Sequence, residues 1–84
     1  MYYTIASLED YAGNQVLSFD KMGQFYNISL YNKDSKESTK LTIRDITKAS
    51  KIYLELTDCI LKGYYSFEQR RNILSESGDN YNEY

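Results

Sequence analysis

The stretch TKLTIRDITKASKIYLELTDCILKG (Thr39–Gly63) changes its period in the middle. Before Asp45, Leu41 and Ile43 alternate with polar residues, the repeat of a half-buried strand. After it, Ile46, Ala49, Tyr53, Leu56 and Ile60 recur at spacings of three and four, one stripe of an amphipathic helix. Ile52 and Cys59 widen that stripe, and Lys48, Lys51, Glu55, Asp58 and Lys62 take the opposite side. Asp45 is placed to cap the helix N-terminus, where a carboxylate meets unpaired N–H groups and the positive end of the dipole. Gly63 is placed to end it in the left-handed conformation. A strand therefore hands over directly to a helix of about four turns.

Upstream of this switch the alternation continues. In YYTIASL, Tyr3 and Ile5 are expected on one face and Tyr2, Ala6 and Leu8 on the other. Leu17 and Phe19 share a face in QVLSFD, as do Tyr26, Ile28 and Leu30 in QFYNISLYN. The interruptions DYAGN and DKMG each carry glycine near Asp or Asn, which is turn chemistry. Short turns between such strands imply an antiparallel meander. NKDSKES (Asn32–Ser38) lacks any apolar anchor and reads as an exposed connection.

Downstream, Ser66 and Gln69 have the spacing of a capping box, so a second helix is expected from Phe67 to about Leu74. Phe67, Arg70, Arg71 and Leu74 line up along it. Leu54 and Leu61 lie off the main stripe of the first helix, and the second helix is expected to fold back and bury them under Phe67 and Leu74. Gly63-Tyr64-Tyr65 is then the linker. The fold expected is α+β: a small three- to four-stranded antiparallel sheet followed by two C-terminal helices, the longer packed on one sheet face. One domain spans 1–75, and 76–84 is expected to be a disordered acidic tail, having no aliphatic residue.

Composition narrows the function. The chain has 84 residues, no histidine, no proline and a single cysteine. Without histidine, the commonest general base and metal ligand is missing, and so are the catalytic triads that use it. Cys59 alone cannot form an internal disulfide, and mid-helix it reads as a small buried hydrophobe. No phosphate-cradling glycine motif occurs. Adjacent Glu9 and Asp10 on a strand point to opposite faces, which does not make a convergent acid–base pair. Arg70 and Arg71 read as a helix-end charge or an ion pair rather than an anion clamp. No enzyme, no cofactor and no metal are expected. The start has neither a basic region nor a long apolar one, and no apolar run approaches the ~20 residues of a membrane span, so a cytoplasmic setting is expected.

Ten tyrosines are the compositional anomaly. Tyr53, Tyr26 and one of Tyr2 and Tyr3 are expected in the core. Tyr11, Tyr31, Tyr64 and Tyr65, with Glu9 and Asp10, are the candidate partner-binding residues, because tyrosine gives a large rigid contact with one hydrogen-bonding end. The partner would be a larger host protein or nucleoprotein complex. The net charge of −2 argues against a phosphate-neutralising nucleic-acid binder. A secondary nucleic-acid patch is still conceivable at Lys33, Lys36, Lys40, Arg44, Lys48 and Lys51. A structural homodimer through a sheet edge or the helix flank is the third expectation.

In organisation, from TIRDITKASKIYLELTDCILKGYYSFEQ outward, the chain resembles small phage and mobile-element proteins that inhibit bacterial defence systems, anti-CRISPR proteins among them. That resemblance implies non-catalytic, steric blockade of a host protein in the cytoplasm of a bacterial host.

Overall fold

The computed structural model of the chain describes residues 2–63 and 66–81, the side chains of 77–81 excepted. Four strands come first: β1 (Tyr2–Asp10), β2 (Gln15–Met22), β3 (Phe25–Asn32) and β4 (Ser38–Ile43). Two helices follow, α1 (Ile46–Leu61) and α2 (Phe67–Tyr81). The strands form one antiparallel sheet in the order β1-β2-β3-β4, a meander with α1 packed on one face. The fold is α+β, as the change of period at Asp45 predicts.

Local chemistry sets each connection. The β2–β3 turn is two residues long, and Gly23 takes a φ of 63° there, which favours a residue without Cβ at the first turn position. Asn32 organises the β3–β4 connection: its Oδ1 accepts from the N–H of Asp34 at 2.9 Å and of Ser35 at 3.3 Å. Asp45 caps α1 by accepting from the N–H of Thr47 at 2.8 Å. At the other end Gly63, at φ 70°, donates its N–H to the Ile60 carbonyl at 3.1 Å. The capping box of α2 forms in both directions, Ser66 N–H to Gln69 Oε1 at 2.8 Å and Gln69 N–H to Ser66 Oγ at 3.3 Å.

The core lies between the sheet and α1. Leu17, Phe19, Ile28, Leu30 and Ile43 face Ala49, Ile52, Tyr53, Leu56 and Ile60, with Phe67 and Leu74 of α2 closing one end. Phe19 stands between Tyr26 and Tyr53, at ring-centroid distances of 6.1 and 5.3 Å. Burial of each large aliphatic side chain here contributes about 1.5–3 kcal/mol.

Three expectations change. The register of β1 against β2 shifts between Thr4 and Ala6, so that Ile5 has no partner. This bulge reverses the parity of the strand: Tyr3 falls on the same face as Ala6 and Leu8, while Tyr2 shares the other with Thr4, Ser7 and Glu9. Tyr2 and Tyr3 are both exposed, so neither joins the core. Leu54 and Leu61 are 63% and 71% exposed, and Phe67 and Leu74 bury themselves in the main core instead of covering them. The cause is the position of α2, which is pinned across one end of the sheet by Arg70 and Arg71, bound to Asp10 and Glu37 respectively. Finally, α2 runs on to Tyr81, past Leu74 where its apolar pattern ends, since elongating an existing helix is easy where no proline stops it.

Candidate functional site

The sheet face turned away from α1 is built from the alternate residues of the same four strands, and the register arranges them in four rows. Thr4, Asp20, Asn27 and Thr42 form one row, and Ser7, Ser18, Ser29 and Lys40 the next. Tyr2, Met22 and Phe25 bound the face at the β2–β3 turn. Glu9, Val16, Tyr31 and Ser38 bound it at the opposite end. The middle is thus hydroxyl-rich and short-chained, and each margin carries an aromatic ring.

The middle is held by its own hydrogen bonds. Asp20 and Asn27 are each only 3% exposed although no helix lies over them. Asp20 accepts from Thr4 Oγ1 at 2.8 Å and from Ser18 Oγ at 3.0 Å. The Asp20 carboxylate beside it raises the Tyr2 pKa above its ordinary 10.0. Asn27 accepts from Thr42 Oγ1 at 2.6 Å. These side-chain bonds tie β1 to β2 through Asp20 and β3 to β4 through Asn27, so the middle presents a polar floor bonded within each strand pair.

The margin rings are more accessible. Tyr31 and Tyr2 are exposed on the face, and Tyr11 projects from the β1–β2 turn at 82% exposure. Arg44 lies over the Phe25 ring at 5.1 Å, and Lys40 stands at the β4 end of the serine row.

Of the residues singled out from the sequence, Glu9, Tyr11 and Tyr31 come together at one end of the sheet. Glu9 is ion-paired with Lys33 across the β1 and β3 termini. Asp10 is on the opposite face, as the alternation of a strand requires, and belongs to a different cluster. Its carboxylate binds Arg70 Nη1 at 2.8 Å and accepts the Gly13 N–H at 3.0 Å. Gln15 Oε1 takes a second bond from the same Arg70 nitrogen at 2.8 Å. Arg70 is 2% exposed, so its charge depends on these acceptors. The Arg70 bond holds the Asp10 pKa below the ordinary 3.8, against a smaller opposing effect of burial. The turn closes tightly on this cluster: a Cβ on Gly13 would stand 2.6 Å from Asp10 Oδ2. Tyr64 and Tyr65 lie outside the described residues.

The six cations of the secondary patch divide among surfaces. Lys40 and Arg44 reach the open face, Lys33 is paired with Glu9, Lys36 sits in the β3–β4 connection, and Lys48 and Lys51 are on α1. Cys59 is buried, and burial, with Glu55 adding to it, raises its thiol pKa above the ordinary 9.0, away from nucleophilic use. Among the described residues no group of three or more His, Cys, Asp or Glu side chains stands together to hold a metal ion. An open depression of about 200 Å³ on α2 is lined by Gln69, Asn72, Ile73 and Glu76. It is smaller than the roughly 300–1,000 Å³ of small-molecule sites. No described helix is long and apolar enough to cross a membrane.

The sequence reading named Tyr31 but missed the face around it. The signal was present: Ser18, Asp20, Asn27, Ser29 and Thr42 all occupy the polar phase of their strands. Compared with known protein families, curated proteins and solved structures, the chain finds no match in any of the three. What fold and site define is an α+β protein with one covered and one open sheet face.

Proposed function

We propose that the chain is a non-enzymatic binding protein that acts by occupying the surface of a larger host protein. The organisation that resembles small phage and mobile-element inhibitors of bacterial defence suggests what such occupation would achieve, namely steric blockade of a defence component in the cytoplasm of a bacterial host. The observation that carries this reading is the open sheet face, where Tyr2 and Tyr31 stand exposed at opposite margins of a rigid, internally bonded floor, with Tyr11 beside one of them. Rigid aromatic anchors around a preorganised polar surface suit protein recognition, because little side-chain entropy is lost on docking.

Affinity capture from bacterial lysate tests it. One large partner is expected with the unmodified chain, and its loss with Tyr11→Ala combined with Tyr31→Ala. Capture that survives this pair but fails with Leu54→Ser and Leu61→Ser would move the interface to α1 and refute the reading.

A second reading has one observation in its favour, namely that Lys40 and Arg44 share the open face with Phe25 and Tyr31, cations interleaved with rings. Nucleic acid bound there would be released by salt and lost with Lys40→Glu and Arg44→Glu. Retention of that kind would replace the first reading.

A further inference from the structure

The two edges of the sheet are protected very differently. β4 is short, carries Lys40, is flanked by Glu37 and Arg44, and has α2 against it, with Arg71 bound to Glu37 at 3.3 Å. Those are the devices by which natural sheets block edge-to-edge association. β1 is terminal in the strand order and nine residues long, and from Tyr2 to Leu8 it has no charge and no proline. Its residues there are rich in aromatic and β-branched side chains, and Tyr2, Tyr3 and Ile5 are exposed. The bulge at Ile5 is its single irregularity.

We propose that this edge pairs with a second copy of the chain, β1 against β1 in antiparallel orientation, to give one eight-stranded sheet across a two-fold axis. The argument for a second copy rests on charge and on register. In a two-fold antiparallel pair the segment faces a copy of itself, so a charge near the axis is set beside its own duplicate. A segment free of charge avoids this in every register, whereas Lys40, near the middle of β4, would lie beside its own copy in a centred pair. The acids that follow, Glu9 and Asp10, are already bound by Lys33 and Arg70 of their own chain.

The bulge supplies the register. Because it reverses parity at Ile5, pairing Tyr3 with Ala6 of the other copy, and Tyr2 with Ser7, keeps inner residues opposite inner ones and outer opposite outer. That register sets the bulky half of each strand against the small half of its mate. The inner faces of both copies then lie on the same side of the joined sheet, and both open faces on the other.

Sedimentation of the full chain across micromolar to near-millimolar concentration is the test. The expected result is a reversible dimer for the unmodified chain, and a monomer with unchanged far-ultraviolet dichroism for Ser7→Lys and for Ile5→Lys, both at exposed positions. In a Cys59→Ser background, Tyr2→Cys combined with Ser7→Cys is expected to form disulfide-linked dimers, and neither cysteine alone is expected to do so. A monomer at every concentration would overturn the proposal. So would a dimer that persists in Ser7→Lys and Ile5→Lys but disappears in Leu54→Ser with Leu61→Ser, since the contact would then be the α1 flank. Partner binding through the open face is a separate matter: a monomeric Ile5→Lys chain that still captures its partner would leave that reading standing.

Discussion

The two faces of the sheet are made by neighbouring residues of the same strands, and they behave as different materials. On β2, Leu17 and Phe19 disappear beneath α1, while Ser18 and Asp20, alternating with them, face away from it and are joined to each other by a hydrogen bond. The inner face is held by apolar contact and tolerates one polar cluster, Asp10–Gln15–Arg70, at its end. The outer face is held by hydroxyl bonds to Asp20 and Asn27 within each strand pair and keeps its rings at the margins. Stability is therefore concentrated on one side, which leaves the other side available for recognition. The difference also explains why a single bulge matters: at Ile5 one inserted residue exchanges the faces of everything before it.

Substitutions that separate the faces should fall in a definite order. Leu30 is fully buried at the centre of the inner face, and Leu30→Ala is expected to cost about 3–5 kcal/mol, read from urea unfolding, which approaches the whole stability of a domain this small. An effect below about 1 kcal/mol would mean that the inner face is not the main source of stability.

Arg70→Met comes next, at about 2–3 kcal/mol, because it leaves the Asp10 carboxylate without its cation. The loss should fall short of that for a fully enclosed pair, since the Asp10 side chain keeps 13% of its surface in solvent. Thermal melts of Arg70→Met and Asp10→Asn, alone and together, would show whether the two losses are non-additive, as a shared contact requires.

A smaller effect is expected in acid. Asp10 has a depressed folded pKa, so its contribution is fully present above the unfolded value near 3.8 and is lost as pH falls through the folded value. The stability difference between the unmodified chain and Asp10→Asn should be flat above that range and shrink below it. A difference that stays constant into strong acid would show that Asp10 is not held as a carboxylate by Arg70.

Smallest of all, Ser29→Ala and Tyr31→Ala on the outer face are each expected to change stability by no more than about 0.5 kcal/mol. Either substitution costing as much as Arg70→Met would remove the distinction between the two faces.

Much of this architecture can be read in the residues themselves. The change of period at Asp45, the Asp45 and Gly63 caps and the Ser66–Gln69 box are local codes, set by backbone groups within a few residues, and each takes the form its sequence predicts. The inward phases of β2, β3 and β4 were equally plain, because their alternation is unbroken. Long-range choices were not legible. Nothing local marks Ile5 as an extra residue, since the bulge exists only relative to β2. Arg70 stands in line with Phe67 and Leu74, but its partners Asp10 and Gln15 are far away in the chain, and it is their bonds that place α2 at the sheet end and leave Leu54 and Leu61 exposed. For the candidate site, Tyr31, Tyr11 and Glu9 could be picked out by type, while their meeting at one end of an open face depended on strand order.

The most direct test of recognition by the open face is photo-crosslinking in bacterial cells, with a photoreactive phenylalanine analogue at position 31 in one chain and at position 55, on the exposed side of α1, in another. A single high-mass adduct from position 31 and none from position 55 is the expected result. No adduct from position 31, or the same adduct from both positions, would contradict recognition through that face.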